Sequence, residues 1–203
     1  MFRRGFKNWC ENVSAQYRRE LELRLSDPLD PVALAGHLGV QLWRPEDVPG
    51  VEKQHLRILL CDDPDSWSAI TICVGTRSAI IMNSSHSPAR QSSNIMHELA
   101  HIILAHKPAR MDVTEDGIMI LSTAAVAQDQ PSPGDILQEN EASWLSGSLL
   151  LPRTALVAIV QSRLDWATAA VRYGVSTEML QYRRNVTGID RQFGAGRRRK
   201  STA

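Results

Sequence analysis

Cysteine is scarce in this chain of 203 residues: Cys10, Cys61 and Cys73 are the only three. An odd number with no CxxC pair excludes a disulfide framework and fits a reduced, cytoplasmic setting. Long apolar runs are missing as well. Nowhere do 18 apolar residues follow one another, and even residues 148–161 are broken by Pro152 and Arg153, which speaks against a transmembrane helix. The opening Met1-Phe-Arg-Arg-Gly-Phe6 is basic, but no apolar stretch follows it, so it does not read as a secretory signal. Net charge is almost absent at +1, and no internal repeat is visible. What remains is an ordinary globular composition, 43% hydrophobic and 22% charged. A chain of this length buries roughly 70% of its unfolded surface without disulfide or metal staples. Its charge is unevenly spread: residues 162–203 hold nine Arg and Lys against Asp165, Glu178 and Asp190, a net +6, which leaves residues 1–161 at −5.

The pattern along the chain predicts an α+β fold, mostly helical, with a small β-sheet or hairpin packed against one central helix. Phe6, Trp9, Val13, Tyr17 and Leu21 recur every three or four residues and predict a first helix over 6–25. Asp30-Pro31 is an N-cap followed by proline at the first helical position, and Gly39 closes that short helix. Residues 40–44 alternate like a strand, and 55–60 fit helix or strand equally. Two β-like runs, 67–74 and 78–82, joined by Gly75-Thr76-Arg77, predict a hairpin. Ser87-Pro88 starts the longest helix, to about Ala105. Residues 107–134 are long for an unstructured loop and suit a short helix or a lid. A helix over 135–150 stops before Pro152, and three shorter ones follow at about 153–161, 165–173 and 176–186. The expected organisation is a core over 1–152, a helical segment over 153–187 resembling a helix-turn-helix, and a basic tail over 188–203, expected to be disordered.

His97-Glu98-Leu99-Ala100-His101 is an HExxH sequence. With six histidines in the chain, chance supplies about 0.01 such pentapeptides. On a helix His101 lies about 40° round from His97, so both imidazoles converge on one ion, and Glu98 lies about 60° beyond His101, within reach of a water on that ion. The neighbours Ile95, Met96, Leu99, Ile102, Ile103 and Leu104 make the helix apolar nearly all round. Buried polar groups on such a helix need a compensating partner. Two histidines leave a tetrahedral zinc one protein ligand short, with the fourth position kept for water. The extended pattern HExxHxxGxxH is excluded, because 104 is Leu and 107 is Lys. If the helix continued, His106 would leave the ligand face by about 140°, so it reads as a helix-end or rim residue.

A carboxylate from another helix is the natural third ligand, and Glu139 and Glu141 are the candidates. Glu139 shares a face with the small Ala142 and Ser143, which favours it. Glu141 points about 200° away, so one of the two should face solvent. An outer edge of the hairpin near residues 78–83 is a place where an extended substrate could add as a strand. His86, Arg90, His106 and Tyr173 are conceivable donors to an oxyanion, and the tryptophans read as core or rim.

Taken together, these residues resemble the ImmA/IrrE family of zinc metallopeptidases. That family follows its HExxH helix with a helix of the form E-x-E-A-N-x-F-A-x-x-L-L-M-P. Here it stands as Glu139-Asn-Glu-Ala-Ser-Trp-Leu-Ser-Gly-Ser-Leu-Leu-Leu-Pro152. Pro28-Leu-Asp-Pro31 and Gly174-Val-Ser176 extend the likeness over most of the chain. The sequence departs from the pattern at Ser143, where Asn or Asp is usual, and at Leu145, where Phe is usual. The first departure removes a group expected to orient a ligand histidine. The resemblance implies a bound Zn²⁺ on His97, His101 and Glu139, Glu98 as catalytic base, and a helix-turn-helix transcriptional repressor as protein substrate. The alternative is a DNA-binding regulator. Residues 165–187 read as helix, Gly turn, helix, with Gln181, Arg183, Arg184 and the basic run 197–200 available to nucleic acid.

Overall fold

The computed structural model describes residues 2–74, 77–106, 110–113, 119–122 and 132–198, the strands at 110–113 and 119–122 and residues 73–74 and 194–198 by their backbone. Helix α1 (Phe6–Glu20) and α2 (Pro31–His37) lead into strand β1 (Gln41–Trp43), and α3 (Lys53–Arg57) precedes β2 (Ala69–Val74) and β3 (Arg77–Met82). Then come α4 (Pro88–Ile103), β4 (Arg110–Val113), β5 (Met119–Ser122), α5 (Pro133–Leu150), α6 (Arg153–Ser162), α7 (Trp166–Tyr173), α8 (Thr177–Thr187) and α9 (Ile189–Arg198). The α+β expectation holds: helices surround one five-stranded sheet, ordered β1-β3-β2-β5-β4.

Local chemistry accounts for where the helices start. Asp30, Asp165 and Ser176 each accept a hydrogen bond from a backbone N–H two or three residues on. Ser87 does so for α4 with Pro88 behind it, and Ser132 and Asp135 form a reciprocal capping box ahead of α5. Gly174 and Gly188 end α7 and α8 at φ 62° and 65°, a left-handed turn that glycine adopts without strain. The first helix stops at Glu20, earlier than its apolar spacing suggests, because Glu22 turns left-handed (φ 57°).

The sheet is larger than a hairpin. β2 and β3 pair antiparallel as expected, Ile72 opposite Ala79; the connecting residues 75–76 lie outside the described set. β1 adds in parallel on β3, Leu42 beside Ile80, and β5 and β4 add beyond β2. Two corrections follow. Residues 110–113 and 119–122, expected in a lid or short helix, are strands; the rest of 107–131 lies outside the described residues. β3 is an inner strand, so its outer edge over 79–81 is taken by β1 and is closed to an added substrate strand.

Helix α5 is the axis of the core. Ala142, Ser146, Gly147 and Ser148 are buried small residues that let α1 and α4 come close and leave room for the Arg183 side chain of α8, with Leu145, Leu149 and Leu150 filling the gaps. The C-terminus of α5 is buried too, and its bare carbonyls need donors. Three side chains supply them. Ser14 Oγ donates to Ser148 O at 2.7 Å, Arg18 Nη2 to Leu149 O at 2.8 Å and Arg183 Nε to Leu151 O at 3.0 Å. Both arginines are fully buried. Arg18 also donates to Asp27 O, while Arg183 pairs with Glu11 at 2.9 Å. Glu11 in turn accepts from Arg153 N at the start of α6. Glu11, Ser14 and Arg18 lie at spacings of three and four on α1, so one helix face clamps the α5–α6 corner.

The chain stays in the fold past Gly188. Ile189 is fully buried and Phe193, one turn on, packs against the core. Helix α9 therefore stands where the composition predicted a disordered tail: two apolar anchors at i and i+4 outweigh the basic residues around them. Residues 199–203 lie outside the described set. Among the described residues one stretch, Pro133–Ser162, is long and apolar enough to pass for a membrane span; it breaks at Leu151–Pro152 and is mostly buried as the core helix.

Candidate metal centre

The last two turns of α4 carry the site. Leu99, Met96 and Ala100 fix the helix to the core, and β2 and α5 flank its polar side. His97 Nε2 and His101 Nε2 approach to 3.0 Å. Across from them Glu139 of α5 brings Oε2 to 3.1 Å from His97 Nε2 and Oε1 to 3.4 Å from His101 Nε2. Among the described residues this is the one cluster of His, Cys, Asp and Glu suited to a metal ion.

The spacing fits the ion. Four bonds of about 2.0–2.1 Å at tetrahedral angles put neighbouring donors roughly 3.3 Å apart, close to the 3.0 Å between the two imidazole nitrogens and the 3.1 and 3.4 Å from each of them to one or the other oxygen of Glu139. The donor set, two imidazole nitrogens and one carboxylate, is that of catalytic zinc rather than of a hard oxygen-bound cation. Burial is graded across the cluster. The His101 side chain is 7% exposed, His97 26% and Glu139 43%, so the cluster is closed at the back and open in front. Burial pushes the Glu139 carboxyl up, but hydrogen bonds from His101 and His97 outweigh it and hold the group at about 2. At neutral pH Glu139 is therefore an anionic donor.

Glu98 points to the sheet side of α4 and is buried. Thr71 Oγ1 on β2 donates to Glu98 Oε2 at 2.5 Å. Thr71 is a residue that sequence reasoning missed. In the alternation of β2 it reads as one more inward residue, and only the register that lays β2 beside α4 gives its hydroxyl a target.

Of the two glutamates, one of which was expected to face solvent, Glu139 is the more exposed at 43%, while the Glu141 side chain is 17% exposed and lies 3.3 Å from His106 Nε2. His106 stands just past the end of α4, as a helix-end residue should. His106 does not continue the helix. Ala105 adopts φ 51°, and the chain folds back so that His106 Nδ1 meets His101 Nδ1 at 3.1 Å. Burial, then the neighbouring His101, lower the pKa of His106. Ser143 is exposed, and its hydroxyl makes no hydrogen bond among the described residues.

Three other donors considered from sequence are engaged elsewhere. Tyr173 Oη donates to Ser26 O at 2.6 Å, Arg90 pairs with Asp65, and His86 lies between Pro64 O and Asn94 ahead of α4. In the helix-turn-helix-like segment, Arg183 is spent on the α5 clamp. Arg184 pairs with Asp190 at 3.1 Å and lies 4.0 Å over the Trp166 ring, and Gln181 holds Asn185. The side chains of the basic run 197–200 lie outside the described residues.

Two histidines of an HExxH helix facing a glutamate of the neighbouring helix, with a buried glutamate alongside and a sheet at the flank, define a metallopeptidase-type centre. A family model of the peptidase M78 group, described as the IrrE N-terminal-like domain, matches residues 59–185 and takes in every residue of the cluster. The chain belongs to that family. No curated protein matches it.

Proposed function

We propose that this protein is a zinc-dependent metallo-endopeptidase, with His97, His101 and Glu139 as ligands and Glu98 as catalytic base. The observation that carries the reading is the convergence of two imidazoles and a carboxylate beside a buried, hydrogen-bonded glutamate. Zinc bound there would supply an acidified water and polarise the scissile carbonyl. Glu98 takes the proton from the attacking water and delivers it to the leaving amine. Thr71 steadies the carboxylate by holding Oε2. His97 and Glu139 stand on the open side, where an extended peptide has access; His101 stands behind.

The substrate we propose is a helix-turn-helix transcriptional repressor, cut at one bond so that the genes it silences are released. This rests on the family relation, and on the danger of unregulated proteolysis in the cytosol, where we place the protein. The engagement of Arg183 and Arg184 within the fold weighs against the alternative of a DNA-binding regulator.

Two measurements test the reading. Glu98→Gln keeps every ligand and removes the base. It is expected to retain one zinc by metal analysis and to lose about 10²–10⁴-fold in turnover; wild-type turnover in that variant would exclude the role given to Glu98. Incubating the zinc-loaded protein with the small helix-turn-helix repressors of its host should yield a single cut in one of them, abolished by chelator, with no digestion of casein. Cleavage of none of them would remove that substrate class.

A further inference from the structure

Behind the candidate metal centre stands a second pair of side chains to which nothing so far gives a task. His106 Nδ1 lies 3.1 Å from His101 Nδ1, and His106 Nε2 lies 3.3 Å from Glu141 Oε2. The pair is largely buried, with side-chain exposures of 9% and 17%. A backbone hydrogen bond from His106 N to His101 O fixes the two residues to each other. We infer that Glu141 and His106 act in series as positioning residues, orienting the His101 imidazole for a metal ion through its far nitrogen. The inference rests on the metal site proposed above.

The proton count along the chain has one consistent solution. With His101 Nε2 turned toward the ion, its ring proton sits on Nδ1 and donates to His106 Nδ1, which must then be an acceptor. His106 therefore carries its own proton on Nε2 and donates it to the carboxylate of Glu141. Each of the four ring nitrogens is used once, and the anion at the end of the series favours electron density on the ligating nitrogen. A metal-bound histidine ordinarily gives its other N–H to a carboxylate, carbonyl or water. Here a second imidazole is interposed. The left-handed turn at Ala105 sets that ring between His101 Nδ1 and the Glu141 carboxylate. The same series accounts for the exposed Ser143, since the orienting task lies with other residues.

The test is zinc affinity of the full-length protein, measured by competition with a chromophoric chelator, with the melting temperature of the metal-free protein recorded alongside. His106→Ala and Glu141→Ala are each expected to weaken zinc binding about 10–100-fold while leaving the metal-free protein folded. Because they act in series, the double variant should be no weaker than His106→Ala alone. Cobalt substitution supplies a spectroscopic reading: the visible ligand-field bands should shift in both single variants and shift alike. Affinity within twofold of wild type for His106→Ala, or losses that multiply in the double variant, would overturn the series. So would a loss in His106→Ala as complete as in Glu139→Ala, which would make His106 a ligand. If His106→Ala does not fold, Glu141→Gln carries the test: it should lose affinity and shift the cobalt bands, and wild-type values in both would overturn the inference. Glu139→Ala serves as the control. Wild-type affinity there would remove the metal site itself, a result distinct from any failure of the His106 and Glu141 variants.

Discussion

Cys10 and Cys61 show how far one side chain's chemistry depends on its surroundings. Cys10 sits on the buried face of α1, and burial pushes its thiol up to about 12 despite the pull of Arg183. Cys61 is exposed. The thiolate is the reactive form, so a maleimide at pH 8 should modify Cys61 within minutes and leave Cys10 untouched until the protein is denatured. Peptide mapping of the labelled protein reads this directly; early label on Cys10 would mean that α1 leaves the core in solution. The same dependence on surroundings set the limits of reading single residues from sequence. His97, Glu98, His101 and Glu139 could be read because their relation is carried by one helix's repeat and one matching motif. Thr71, Glu141 and His106 could not. Their roles depend on a strand register and on one left-handed residue at Ala105, neither of which leaves a mark in the order of residues.

Among the elements, α5 is the one on which the others depend. A methyl group added at Gly147 would stand 3.0 Å from Arg183 Cδ, and Arg183 has little freedom to retreat because Leu151 O and Glu11 hold it. Gly147→Ala is thus a contest between two effects. Helix propensity favours alanine by about 1 kcal/mol, while overpacking a filled core costs about 1–3 kcal/mol. We expect overpacking to win, with a fall in melting temperature of roughly 2–4 °C per kcal/mol net lost. A rise would show that Arg183 gives way and that the clamp is soft. Element boundaries were the most legible part of the fold, since Asp30-Pro31, Ser87-Pro88, Asp165 and Ser176 announce their helices within three residues. Strands β4 and β5 were not, because β5 takes its place by pairing with β2, as Thr71 with Leu121 far along the chain, and β4 takes its place by pairing with β5.

At the scale of the whole molecule the question is where the fold ends. Ile189 and Phe193 tie α9 down, so removal of residues 189–203 should cost about 2–4 kcal/mol of apolar burial and lower the melting temperature by roughly 5–15 °C. Removal of 199–203 alone should change it by less than a degree. Equal effects from the two truncations would contradict the anchoring given to Ile189. The two arginines at the end of α5 bear on how the protein is made. Arg18 leaves the ribosome before Arg183, with His97, His101 and Glu139 synthesised in between. Until residue 183 arrives, Leu151 O and Glu11 lack their partner, and the helix that bears Glu139 is secured from one side only. Maturation therefore has a built-in order in which the donors are present before the scaffold that steadies them, so that a nascent chain cannot hold its site in finished form until α8 has emerged behind it.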